Sequence, residues 1–119
     1  MNINKFTQKS MEAVQNCEKL AYEYGNQQID ELHFLCSLLT LDDSLILKLV
    51  TKMGVQGDMF VNEVKQALEK LPKVSGGQLY ISNDLNKVLL SGEDEAKAMG
   101  DEYVSVEHLF LALIKNPSK

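Results

Sequence analysis

The sequence predicts an all-α domain in which one helical pattern is used twice, as a four-helix unit followed by a two-helix partial copy. The first observation behind this is a repeat. "GNQQIDELHFLCSLL", Gly25 to Leu39, returns in altered form as "GDEYVSVEHLFLALI", Gly100 to Ile114, and Gly25 and Gly100, His33 and His108, and Leu38 and Leu113 share one offset of 75 residues. The second is periodicity: apolar residues recur at helical spacing along the chain, and no pair of segments shows the alternation of partnered strands.

The first helix opens at Thr7, whose hydroxyl can accept an orphan backbone N–H, and Ala13, Cys17, Leu20, Ala21 and Tyr24 mark its buried stripe. It closes at Gly25, since a left-handed residue there is cheap only for glycine. Ile29-Asp30 then supplies a hydrophobic staple and a cap for a second helix, whose Phe34-Leu35 and Leu38-Leu39 pack back on the first. The third helix, "DDSLILKLVTKMG", is expected to be capped by Asp42 or Asp43 and closed at Gly54. The fourth is expected to begin after Asp58 and stop before Pro72, because proline disfavours helical geometry in the residue before it.

Pro72 to Tyr80 reads as a linker, with Ser75-Gly76-Gly77 too flexible to extend either neighbouring helix. The fifth helix repeats the first, from a Ser82 cap through Leu85, Val88, Leu89, Ala96 and Met99 to Gly100. The sixth repeats the second, from Val104-Ser105 through Leu109-Phe110 and Leu113-Ile114. No strand is expected, since Ile81 sits in a short extended stretch before a cap and has no partner of similar character. The offset maps Asp43 onto Ser118, which divides the chain into a first repeat at 1–71, a linker at 72–80 and an incomplete second repeat at 81–119, together one domain. A helix pair cannot easily bury its own apolar face, so the copies are expected to pack on each other. The incomplete copy leaves apolar surface around Leu109 to Ile114, which predicts dimerisation, a swap or a disordered C-terminus.

At 119 residues the chain can bury a real core, and 45% hydrophobic with 24% charged residues lies in the ordinary range of globular domains. No apolar run is long enough for a membrane span or a signal peptide, giving an expectation of a cytoplasmic protein with no membrane partner. A net charge of -5 argues against nucleic acid, whose phosphates need a cationic face. Cys17 and Cys36, neither a metal pair nor a disulfide framework by their spacing, are expected to be reduced and buried.

His33 and His108 stand three residues after caps, where a side chain can reach back to the cap backbone, and their duplication favours a structural role. Neither has metal-ligand neighbours at useful spacing. Ser105 and His108 suggest a nucleophile and base, but no third group is evident to orient the imidazole. Glu93-Asp94-Glu95 reads as a solvated helix face, and Gly76-Gly77 lacks the Lys-Ser/Thr of a phosphate loop. No catalytic residue, metal or cofactor is expected in this chain, and an acidic helical repeat without such machinery points to a binding module.

"KFTQKSMEAVQNCEKLAYEYGNQQIDELHFLCSLL", "LPKVSGG" and "AKAMGDEYVSVEHLFLALI" together resemble the N-terminal domain of bacterial Clp ATPases, and "LPKVSGG" favours the ClpB-type disaggregase branch over the ClpC and ClpA branches. The resemblance implies a pseudo-twofold domain of two four-helix repeats, joined to AAA+ ATPase modules in a homohexameric parent that works with a DnaK-type chaperone. It implies a domain that binds unfolded or aggregated polypeptide through an apolar groove, or alternatively one that docks a folded adaptor, as in the protease-linked branches. Positions matching Thr7, Asp101 and Glu107 are the polypeptide-binding residues that it implies. Each also has a duller explanation: Thr7 is a good cap, Asp101 is a solvated residue after a glycine, and Glu107 suits a first helical turn. The apolar floor of such a groove is expected between the repeats, from Phe6, Leu85 and Leu89.

Overall fold

Hydroxyl side chains open both long helices. The computed structural model describes residues 5–74 and 78–115. In it Thr7 caps α1 (Gln8–Glu23) by accepting the Ser10 N–H, and Ser82 caps α5 (Asn83–Ala98) by accepting the Leu85 N–H. Their far ends also match. Gly25 and Gly100 hold φ of 72° and 73°, and the next residues, Asn26 and Asp101, donate their N–H groups to Ala21 and Ala96 carbonyls at 2.8 Å each. This closure satisfies the last orphan carbonyls and needs a left-handed residue, which glycine supplies without a Cβ clash.

The shorter elements follow with some corrections. Asp30 caps α2 (Glu31–Thr40), and α6 (Val106–Lys115) follows Ser105. The cap of α3 (Leu45–Lys52) is Ser44, not Asp42 or Asp43. Its Oγ accepts the Leu47 N–H at 3.0 Å and donates to the Leu38 carbonyl at 2.6 Å, so one hydroxyl joins the end of α2 to the start of α3. Asp43 instead takes a left-handed turn conformation, with φ 55°, and pairs with Lys48. Helix α4 (Gly57–Glu69) begins ahead of Asp58 without a side-chain cap, and ends before Pro72 as expected.

Two short parallel pairings correct the expectation of no strand. β1 (Gln28–Ile29) pairs with β2 (Tyr80–Ile81), so the partner of Ile81 is Ile29. Phe6 makes a matching bridge to Val104. The offset of the repeat carries Phe6 onto Ile81 and Ile29 onto Val104, so this is one contact made twice with roles exchanged. Thr7 donates its N–H to the Val104 carbonyl at 3.0 Å, and Ser82 donates to Ile29 at 2.9 Å. The physical reason is backbone satisfaction: residues just outside a cap have groups that need partners, and the sister repeat offers them. Two-residue strands are too short to leave a periodic signature.

Helix α2 contacts each of the other helices and forms the centre of the core. Its Phe34, Leu38 and Leu39 are fully buried, each contributing about 1.5–3 kcal/mol of hydrophobic transfer. Ala13, Cys17 and Ala21 of α1 and Leu85, Val88, Leu89 and Ala96 of α5 are buried as their stripes predict. Met99 is not, and stands 59% exposed beyond the end of α5. Both cysteines are free and buried, and burial pushes the Cys17 thiol up to about 12. Among the described residues no helix is long and apolar enough to cross a membrane.

The linker is fastened at its start. Asn26 Nδ2 donates to the Pro72 carbonyl at 2.9 Å and Val74 N–H donates to the Gly25 carbonyl at 2.8 Å. Ser75-Gly76-Gly77, with the flexibility expected of them, and the last four positions, with the Ser118 correspondence and the expected C-terminal disorder, lie outside the described residues.

Candidate functional site

Both histidines complete helix caps. His33 Nδ1 accepts the Asp30 N–H at 3.0 Å, forming a capping box in which imidazole replaces the usual glutamate. His108 Nδ1 accepts the Ser105 N–H at 2.9 Å. Because Nδ1 accepts in each ring, Nε2 carries the proton and donates, to Asn26 Oδ1 at 2.9 Å in the first repeat and to Asp101 Oδ2 at 2.8 Å in the second. Burial, partly opposed by the Asp30 charge, holds the His33 pKa below its ordinary value.

Asp101 is the third group missing from the sequence reading of Ser105 and His108. With the Ser105 Oγ 2.9 Å from Nδ1, the three residues have the composition of a hydrolytic triad. The imidazole lone pair is already engaged by the N–H of Ser105 itself, so withdrawing a hydroxyl proton would require giving up the cap. The arrangement orients a helix start. The signal for it was present in the repeat, which places a polar residue after each glycine, seven positions before each histidine.

A groove of about 420 Å³ opens where the start of α1, the turn from α2 to α3 and the start of α6 meet. Leu38, Leu41, Leu45, Ile46 and Val106 supply its apolar lining, and Thr7, Lys9, Asp42, Asp43 and Glu107 its polar part. The walls are tied together. Ser10 Oγ donates to the Val104 carbonyl at 2.9 Å, and Lys9 Nζ reaches the Asp42 carbonyl at 3.2 Å. The hydrogen bond from Lys48, on the far side of the turn, keeps the Asp43 carboxyl below the usual carboxylate range. Leu45, at the first position of α3, lines the groove and is 47% exposed.

The structure brings Thr7 and Glu107 together in this groove. Asp101 does not line it and is bonded to His108. Phe6, Leu85 and Leu89 are buried in the core, and none of them lines the groove, so the apolar floor is made by the end of α2 and the starts of α3 and α6. The helical stripe marked Leu38 as core and gave no sign of Leu41 or Leu45, since which apolar residues flank an opening depends on how the repeats meet. Among the described residues, no group of three or more His, Cys, Asp or Glu side chains is placed to hold a metal ion.

The model of the Clp repeat N-terminal domain family matches residues 5–119. The chain belongs to this family. The Clp repeat domain is 37% identical to the chaperone protein ClpB of Nitratidesulfovibrio vulgaris over 123 aligned positions, covering 99% of this chain and 14% of that protein. It is 42% identical to ClpB of Porphyromonas gingivalis over 114 positions, covering 96% of this chain and 13% of the relative. The chain therefore spans about one-seventh of the length of these relatives. Among solved structures, the Hsp104 N-terminal domain from Candida albicans superposes with a TM-score of 0.85 at 26% identity, covering 94% of this chain and 75% of that one. The N-terminal domain of ClpV1 ATPase from E. coli shares the fold, with a TM-score of 0.86 at 20% identity over 97% of this chain and 71% of its own.

Proposed function

We propose that this chain is the substrate-recognition domain of a ClpB-type disaggregase and that the groove between its repeats binds apolar segments of unfolded or aggregated polypeptide. The observation that carries the reading is the apolar floor of Leu38, Leu41, Leu45, Ile46 and Val106 edged by Thr7 and Glu107. A floor of aliphatic side chains discriminates by transfer energy and not by sequence, which is what clients of many sequences require. On this reading the Glu107 carboxylate accepts from backbone or polar groups of the bound segment, and the Thr7 hydroxyl, which already accepts the Ser10 N–H and donates to Ser10 Oγ, offers its remaining lone pair. On this reading the repeats at 1–71 and 81–119, joined by 72–80, act as one binding domain. The parent is then a homohexameric AAA+ ATPase that threads clients delivered with a DnaK-type chaperone. Affinity is modest, because ordering an unfolded client offsets much of the gain.

The test is titration of the chain with a fluorescein-labelled extended apolar peptide, compared with the Leu45→Asp variant. Leu45 is exposed at a helix start where a carboxylate suits the helix dipole, so the fold tolerates the change. Losing its apolar contact should weaken peptide binding by about tenfold or more. Equal binding by both proteins would refute the groove, and binding of a folded adaptor without binding of the peptide would favour the adaptor-docking alternative.

A further inference from the structure

We propose that Asp101 shapes the groove from outside it, as a positioning residue that fixes the α6 wall through His108. The inference rests on the groove reading above and identifies what holds one wall in place. Three residues of that wall, Ser105, Val106 and Glu107, are the cap and first turn of α6. The residue before them is fastened to α1, since the Val104 carbonyl accepts from both Thr7 N–H and Ser10 Oγ, and Val104 N–H donates to Lys5 at 2.7 Å. The chain is therefore fixed on the entry side of the wall, and the Ser105 N–H is the next group to be placed. It donates to His108 Nδ1, and that ring is oriented by the bond from Nε2 to Asp101 Oδ2 at 2.8 Å.

The bond spans two environments, with the His108 side chain 6% exposed and the Asp101 side chain 53% exposed. Asp101 is thus an exposed carboxylate that grips a buried ring, and it does not line the groove. The first repeat shows which property of the residue the ring needs. There a neutral amide, Asn26 Oδ1, performs the same task for His33 at 2.9 Å, with the same Nδ1 bond to the cap. An acceptor oxygen at this position suffices, and a negative charge is not required. Without any acceptor, a buried Nε2–H is left unpaired, and the ring turns or admits water to satisfy it. The cap at Ser105 then loosens, and Val106 and Glu107 lose their fixed place.

The experiment uses this chain and its Asp101→Ala and Asp101→Asn variants, each titrated with the labelled apolar peptide and followed by backbone amide exchange. Loss of one buried hydrogen bond in Asp101→Ala should weaken the peptide about fivefold and speed exchange of the Ser105 amide. Asp101→Asn, which copies the first repeat, should keep binding and exchange within about twofold of the parent, because the acceptor is retained. Rescue by the asparagine is the readout that a direct charge contact with the client would not give. If Asp101→Asn binds as weakly as Asp101→Ala while the Ser105 amide stays protected, or if Asp101→Ala changes neither measurement, the proposal is overturned. Leu45→Asp in the same titration judges the groove itself. Unchanged binding there sinks the groove reading, while exchange at Ser105 continues to decide the role of Asp101.

Discussion

Leu39 on α2 and Ile114 on α6 occupy matching places in the two repeats, yet one is 1% exposed and the other 56%. Their local settings are alike: each sits late in a helix that starts from a histidine-completed cap and follows a glycine-closed long helix. The difference comes from what lies opposite. Helix α4 packs along α2, and among the described residues no counterpart packs along α6. Tyr24 and Met99 tell the same story, the first half-buried with Lys73 reaching its carbonyl at 2.9 Å, the second largely in solvent. A repeated sequence therefore repeats caps and turns faithfully, because these are made by residues a few positions apart, but it repeats burial only where the third partner is also present.

The largest expected effect comes from truncating the two equivalent side chains. Leu39→Ala should cost about 2–5 kcal/mol, whereas Ile114→Ala should stay within about 0.5 kcal/mol. Urea denaturation of both variants measures this. A cost for Ile114→Ala approaching that of Leu39→Ala would mean that its face is covered in solution, by association of the kind expected around Leu109 to Ile114.

A smaller effect sharpens the comparison inside the long helices. Cys17 of α1 and Gly92 of α5 occupy matching places, but a Cβ on Gly92 would meet Leu109 Cδ2 at 2.5 Å and Val104 Cγ1 at 3.5 Å. Gly92 is therefore a position where Leu109 of α6 packs directly against the backbone of α5. Gly92→Ala gains about 1 kcal/mol of helix propensity and loses about 1–3 kcal/mol to overpacking. A net destabilisation of about 1 kcal/mol is expected in the same denaturation assay. A net gain in stability would show that Leu109 moves aside freely.

The smallest effect is on pH dependence and concerns the first repeat. Burial holds the His33 pKa below its ordinary value, so the unfolded chain binds a proton before the folded one as pH falls. The stability contributed by the neutral ring is complete above about pH 6.5 and is lost as pH drops through that value toward the folded-state pKa. Chemical denaturation at a series of pH values, with the His33 ring followed by NMR, should show falling stability on mild acidification and a His33 midpoint below that of a free histidine. A midpoint at or above the free value would contradict the buried neutral ring.

Much of this was readable from the chain itself. Thr7, Ser82 and Asp30 announced helix starts and Gly25, Gly54 and Gly100 helix ends, because a cap is a contact within a few residues and its chemistry is local. Ser44 was obscured by two aspartates of similar capping power beside it, and the choice fell to the residue whose hydroxyl could also reach the Leu38 carbonyl. The polar rim at Thr7 and Glu107 was reached through family resemblance, and the groove's floor was not reached at all.

What the sequence determined by itself, then, is the set of helices, the caps of α1, α2 and α5 and the existence of a repeat, since each depends on hydrogen bonds or spacing within one or two turns. Tertiary structure alone decided that Phe6 reaches Val104 while Ile81 reaches Ile29, and that Leu41 and Leu45 face an opening while Leu85 and Leu89 do not. These depend on how two similar surfaces meet, and an apolar residue carries no mark of whether the surface opposite it will close over it or stand apart.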